Sequence, residues 1–260
     1  MSFSEKDRAD LRYARALLEH PSLAIRLIDV IGTPIEKGLE LLPANWSMVV
    51  GQATRTALHK ALDVAVRTMD DHGVVPPRDL FHKIAATVTG AVGGAMGFPG
   101  LAIELPISTM VILRSIADVA RSEGERITTL PAQLACLEVF ALGGRSKTDD
   151  AAETSYFAVR SALARAVTEA AEFIAEKGIA HESAPAVVKL IAQIASRFDI
   201  AVSEKAAAQA MPIVGAAGGA VINLIFVDHF QNMARGHFTV RRLERQHGVE
   251  AVREAYLLAP

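Results

Sequence analysis

Apolar positions recur along this chain at helical spacing almost throughout, and the two-residue alternation of a half-buried strand is nearly absent. The pattern predicts a first helix from Ser4, with Glu5 and Asp7 in its opening turn, to about His20, where Pro21 stops it. Ser22 caps a second, LAIRLIDVIG, whose Leu23, Leu27 and Val30 share a face; Gly32-Thr33-Pro34 breaks it before the short amphipathic piece IEKGLELL. Beyond Pro43-Ala44-Asn45 a long helix is expected from Trp46 to Asp71, with Ala53, Ala57, Ala61 and Ala65 on its apolar side, and then a linker at 74–77. Further helices are predicted from Leu101 to Glu123, from Pro131 to Gly143-Gly144, and from about Asp149 to Lys177. Two more follow at about 185–197 and 199–210, then a long one from Pro212 through TVRRLERQ, and a final VEAVREAYLL.

Two stretches depart from this amphipathic pattern. Residues 84–103 and 206–227 carry no charge, and each holds a G-x-x-G-G core, at Gly90, Gly93 and Gly94 and again at Gly215, Gly218 and Gly219. With roughly 100° of turn per residue, Gly90, Gly93, Gly94 and Gly97 fall in one arc, and the second trio does the same. Glycine inside a helix costs about 1 kcal/mol relative to alanine, so such rows imply close approach by another helix or an apolar ligand. Phe98-Pro99-Gly100 is a turn signal that makes the first stretch and the next helix an αα-hairpin, either bundle core or re-entrant membrane hairpin. Membrane spans of about 20 residues are richer in Leu, Ile and Phe than these Ala- and Gly-dominated runs, which favours buried helices. The fold class is therefore all-α: a single multi-helix bundle with a central pair of Gly-rich apolar helices. Residues 1–45 form peripheral helices, 46–243 the core and 244–260 a C-terminal helix.

Composition sharpens this picture. Of 260 residues, 51% are hydrophobic but only 5% aromatic, so small aliphatic side chains build the core and closely packed helices are favoured over a sandwich. The formal net charge of −2 gives no global basic field for nucleic acid. The lone Cys136 rules out an internal disulfide framework, and the densely charged N-terminal residues lack the apolar core of a signal peptide. A cytoplasmic setting is expected.

GFPGLAIELPISTMVILRSIADVARSEG, followed by the helix ending in FALGG, resembles the hallmark region of the EcsC family. SEKAAAQAMPIVGAAGGAVINLIFVDHFQNMARGHFTVRRL is similar to that family's C-terminal signature. The particular tokens are Pro99-Gly100, Glu104-Leu105-Pro106, Arg114 before Ala117, and Pro212-x-Val214-Gly215 leading to Asn223. The resemblance runs from about the third helix to Leu243. It implies a mostly helical protein with suspected membrane association and a link to ABC transport or secretion, and it carries no agreed catalytic residues.

Glu104 is the most prominent charge, set between apolar runs. Burying an unpaired carboxylate is expensive, so a cation is expected beside it, with Arg114 and Arg235 as candidates. Leu101, Leu105, Met110, Ile222 and Phe226, together with the two glycine rows, would line an apolar cleft for which Glu104 is a polar anchor. Arg114 and Asp118 stand at i, i+4 and suit a local pair; Asp228, Asn232 and Arg235 share a face and read as solvated. The run Arg235, His237, Arg241, Arg242, Arg245 and His247 has only Glu244 against it locally. It would either lie on anionic lipid, at about 1 kcal/mol per basic residue, or form a solvated face.

Other chemistry is poorly supported. His229 and His237 lie about 12 Å apart along a helix, and no H-E-x-x-H or C-x-x-C is present, so neither metal nor cofactor is expected. Gly144-Arg145-Ser146-Lys147-Thr148 lacks the glycine spacing and strand of a phosphate loop, and no G-x-S-x-G elbow occurs.

These features predict a non-enzymatic, cytoplasmic helical protein that works at the inner face of the cell membrane or holds an apolar, lipid-like molecule. A membrane protein is a further partner on this reading, and nucleic acid is not one. One alternative is an enzyme acting on a lipid-like substrate, with Glu104, Asp228 and His229 in one pocket. The other is an integral membrane hairpin with Lys83, Arg114, Lys205 and Arg235 at its interfaces.

Overall fold

The computed structural model describes residues 3–19, 23–68, 100–144, 156–178, 184–211 and 215–258, with the side chains of the last segment described from 218. Its described residues form ten helices: α1 (Glu5–Glu19), α2 (Leu23–Ile31), α3 (Ile35–Glu40), α4 (Trp46–Thr68), α5 (Leu101–Ser122), α6 (Leu130–Leu142), α7 (Tyr156–Lys177), α8 (Pro185–Ala210), α9 (Gly215–His247) and α10 (Val249–Leu258). No strand occurs among them. The row Gly90, Gly93, Gly94 and Gly97, the linker at 74–77 and the Phe98-Pro99 turn lie outside the described residues.

Local chemistry explains the helix limits. Ser4 Oγ accepts the Asp7 N–H at 3.1 Å while Asp7 Oδ2 accepts the Ser4 N–H at 3.1 Å, a reciprocal cap that satisfies donors the first turn leaves open. The stretch read as two helices around residue 198 is one continuous helix, α8. Nothing between Ala186 and Ala210 is glycine or proline, and the serine hydroxyls there bond back onto helix carbonyls, Ser196 to Gln193 and Ser203 to Asp199. At the other end of the chain, Gly248 takes φ +89°, a conformation open to glycine, and so turns α9 into α10.

Helices α8 and α9 organise the bundle. α8 packs against α2, α3, α4, α6, α7 and α9, while α9 packs against α1, α2, α5, α6, α8 and α10. One hydrophobic core runs through these contacts. At its centre Phe140 of α6, Phe198 of α8 and Phe226 and Phe230 of α9 meet with ring centroids 4.9 to 6.1 Å apart, mostly tilted or edge-on, the geometry aromatic rings prefer. α1 lays Leu11, Ala14 and Leu18 on α9, and a Cβ on Gly236 would collide with Leu18 and the Ala14 carbonyl. Of the second glycine row, Gly219 is buried and Gly218 half-buried.

No described helix is long and apolar enough to cross a membrane.

Candidate functional site

Two groups of charges are held inside the bundle, one at each end of α9. At the amino-terminal end, Lys205 near the end of α8 is fully buried, and its Nζ donates to both Glu104 oxygens and to Asn223 Oδ1, each at 2.8 Å. The ammonium also lies 4.6 Å from the Phe226 ring centroid, a cation–π contact. Burial pushes the lysine towards its neutral form, and the Glu104 carboxylate opposes that. The cation beside Glu104 is thus Lys205, not Arg114 or Arg235: the first turn of α5 faces the last turns of α8, and Arg114 is exposed further along. The three N–H donors of the ammonium meet three oxygens, which is the condition under which a buried pair is tolerated.

This triad fixes the starts of α5 and α9 next to the end of α8. Leu101, Leu105, Ile222 and Phe226 are almost completely buried there, and Met110 is half-buried. They belong to the close-packed core. On the outside of the same end, Ile103, Ile107 and Val221 are 63%, 49% and 41% exposed.

The residues of the convergent-enzyme reading take separate partners. Glu104 meets Lys205, Asp228 accepts from Arg26 at 2.6 Å and from Asn232 at 3.3 Å, and His229 Nε2 contacts the Gly143 carbonyl at 2.9 Å. The face Asp228, Asn232, Arg235 is a string of hydrogen bonds rather than a free solvated strip, with Arg235 donating to Asn232 at 2.7 Å. Cys136 is buried, and burial raises its thiol pKa far above the ordinary range, so it is inert as a nucleophile at neutral pH. Among the described residues no group of three His, Cys, Asp or Glu side chains is placed to hold a metal.

The C-terminal basic run is neutralised from within the fold. Arg241 donates to Glu125 at 2.8 Å, Arg242 to Glu123 at 2.7 Å and Asp10 at 2.8 Å, and Arg245 to Glu125 and the Glu123 carbonyl. The local opposition expected from Glu244 alone is replaced by acids from α1 and from the turn after α5. Glu244 itself accepts a two-pronged contact from Arg160 at 2.7 and 3.1 Å.

Beside these pairs a cleft of about 340 Å³ opens between α6, α7, α9 and α10, lined by Glu138, Phe157, Arg160, Ser161, Ala164, Val167, Thr168, Arg241, Glu244, Val249, Glu250 and Arg253. Behind it Arg160 Nη1 donates to the Tyr156 hydroxyl at 3.1 Å, and that oxygen lies 3.0 Å from His237 Nδ1. Burial, with Arg160 and Arg241 nearby, holds His237 neutral. Its other ring nitrogen, Nε2, is buried with no hydrogen-bond partner among the described residues. Glu138 is half-buried, and burial raises its pKa, with Arg160 and Arg241 opposing and Glu244 reinforcing.

Glu138 shares a signal with Glu104, a lone charge among apolar helix residues, that was legible in the sequence and was applied only to Glu104. Lys205 follows Glu204 directly and carries no such mark. Tyr156, Arg160 and His237 had no such mark, because their pairing joins positions far apart in the chain.

Residues 22–243 match the family model described as the EcsC protein family. No curated protein and no solved structure matches the chain.

Proposed function

That match covers most of the chain, which therefore belongs to the EcsC family, and from this premise we propose that it is a non-enzymatic helical protein that docks on a membrane surface through the starts of α5 and α9. The observation that carries the reading is the exposure of Ile103 and Ile107, one turn apart at the start of α5, and of Val221 near the start of α9, the two helix starts that the Lys205 triad ties together. Each of these helices continues an uncharged stretch, 84–103 or 206–227. Apolar side chains presented in this way gain by entering the headgroup boundary of a bilayer, and their contribution is insensitive to salt. Packing of Leu101, Leu105, Ile222 and Phe226 into the core favours a surface over a lipid held between α5 and α9. The internal pairing of Arg241, Arg242 and Arg245 argues against a purely electrostatic attachment.

Sedimentation with neutral and anionic vesicles at two salt concentrations tests the proposal. Binding to both vesicle types that persists at high salt is expected, and Ile103→Glu with Ile107→Glu should weaken it by about tenfold or more, since each buried Ile side chain is worth up to ~2 kcal/mol. A protein that stays in the supernatant, or a double variant that binds like the parent, refutes it.

A further inference from the structure

A third helix start lies beside the turns of α8 that carry Lys205. A Cβ on Gly38 of α3 would collide with the Ala207 carbonyl, and one on Gly51 of α4 would stand 3.7 Å from Asp199 Oδ2. The chain between these two glycines therefore runs back along the last turns of α8, past Lys205, and α4 goes on to pack against both α8 and α5. Its surface is apolar. Leu41 and Met48 are 54% and 66% exposed, and the half-buried Trp46, the chain's one tryptophan, packs against the core while still reaching the surface. Residues 41–54 carry no charge. The basic residues that bound this stretch have acids beside them: Lys37 stands between Glu36 and Glu40 in the sequence. Arg55 Nη2 and Asp199 Oδ2 lie 3.4 and 3.7 Å from the position a Gly51 Cβ would take.

We infer that the head of α4 enters the same bilayer as the starts of α5 and α9, through Leu41, Trp46 and Met48, and that this bilayer need contain only zwitterionic lipid. This rests on the membrane-docking reading above and adds to it a third anchor and a lipid class. Tryptophan suits the headgroup boundary, where its ring meets hydrocarbon and its N–H stays among polar groups. Leu41 and Met48, on either side of it in the sequence, bring apolar area that water otherwise wets, and methionine adapts its shape to an irregular surface. The lipid class follows from the charge pattern. Attraction to anionic headgroups draws on clusters of lysine and arginine, and neither 41–54 nor the exposed side of α5 between Ala102 and Met110 offers one. The one charge within that part of α5, Glu104, is buried against Lys205, so nothing on it repels an anionic surface either.

Trp46 is its own probe, so the unaltered full chain carries the test. With phosphatidylcholine vesicles its emission should move to shorter wavelength, and phosphatidylcholine brominated on the upper acyl chain should quench it. Adding phosphatidylserine should change the lipid concentration at half-binding by less than about twofold. Leu41→Glu with Met48→Glu should raise that concentration by about tenfold or more, with the helical circular dichroism unchanged. Vesicles that sediment the protein while Trp46 stays unshifted and unquenched would overturn the third anchor and leave α5 and α9 as the docking elements. A double variant that binds like the parent would do the same, and binding that requires phosphatidylserine would overturn the lipid class. No binding to any vesicle would remove both this inference and the reading beneath it. Emission that shifts with protein concentration in the absence of lipid, without quenching by brominated lipid, would assign the head of α4 to a contact between two copies of the chain.

Discussion

At the amino-terminal end of α9 a fully buried ammonium touches three oxygens, whereas at its carboxy-terminal end the half-buried Glu138 lines an open cleft beside Arg160 and Arg241 and feels them only through space. Both charges sit on apolar helices of one bundle, α8 and α6. The difference lies in whether neighbouring helices complete the polar group. Where they do, the charge acts as an internal fastener, holding α5, α8 and α9 in register, and the outside of that end is left to apolar side chains. Where they do not, the carboxylate is left to water and to the field of the neighbouring guanidinium groups.

The largest effect should come from opening the fastener. Lys205→Met strands Glu104 in the core and should cost about 3–5 kcal/mol, the usual price of leaving a buried ion unpaired; combining it with Glu104→Leu should recover much of the loss, as thermal melts of the two variants would show. A melt in which the single variant is as stable as the parent would mean the triad is not a fastener. Next, Gly236→Ala should destabilise by about 1–3 kcal/mol, since the added methyl meets Leu18 and the Ala14 carbonyl.

Glu138→Gln should run the other way. Burial raises the folded-state pKa of Glu138 above its ordinary value of 4.5, so the folded protein binds the proton more tightly than the unfolded chain. The penalty is absent below pH 4.5, grows as pH rises through the folded pKa, and is complete above it. The variant should therefore melt higher than the parent at pH 7 and match it near pH 4, a smaller change than either core variant. The smallest effect belongs to Lys189→Ala, which breaks the exposed pair with Glu169 and should move stability by less than about 0.5 kcal/mol.

Much of the fold was legible because helix periodicity and its interruptions are local. Glycine and proline marked nearly every described boundary, and the split expected near residue 198 failed because Arg197-Phe198-Asp199 contains no residue that breaks a helix. The site was less legible. Glu104 was visible as a lone charge, but its partner depends on how α5 docks on α8, which no spacing encodes; the nearest arginine in sequence was a poor guide. The basic C-terminal run looked unopposed for the same reason, since Asp10, Glu123 and Glu125 reach it from α1 and from the turn after α5. Charges on one helix are read from sequence, whereas their neutralisation is a property of packing.

Hydrogen–deuterium exchange with and without lipid vesicles tests the contrast between the two ends most directly. Docking through the apolar end predicts added protection at Leu101–Met110 and at the start of α9, with α7 and α10 unchanged. Protection confined to Arg241–Arg245 and α10, or absent from every peptide, would contradict it.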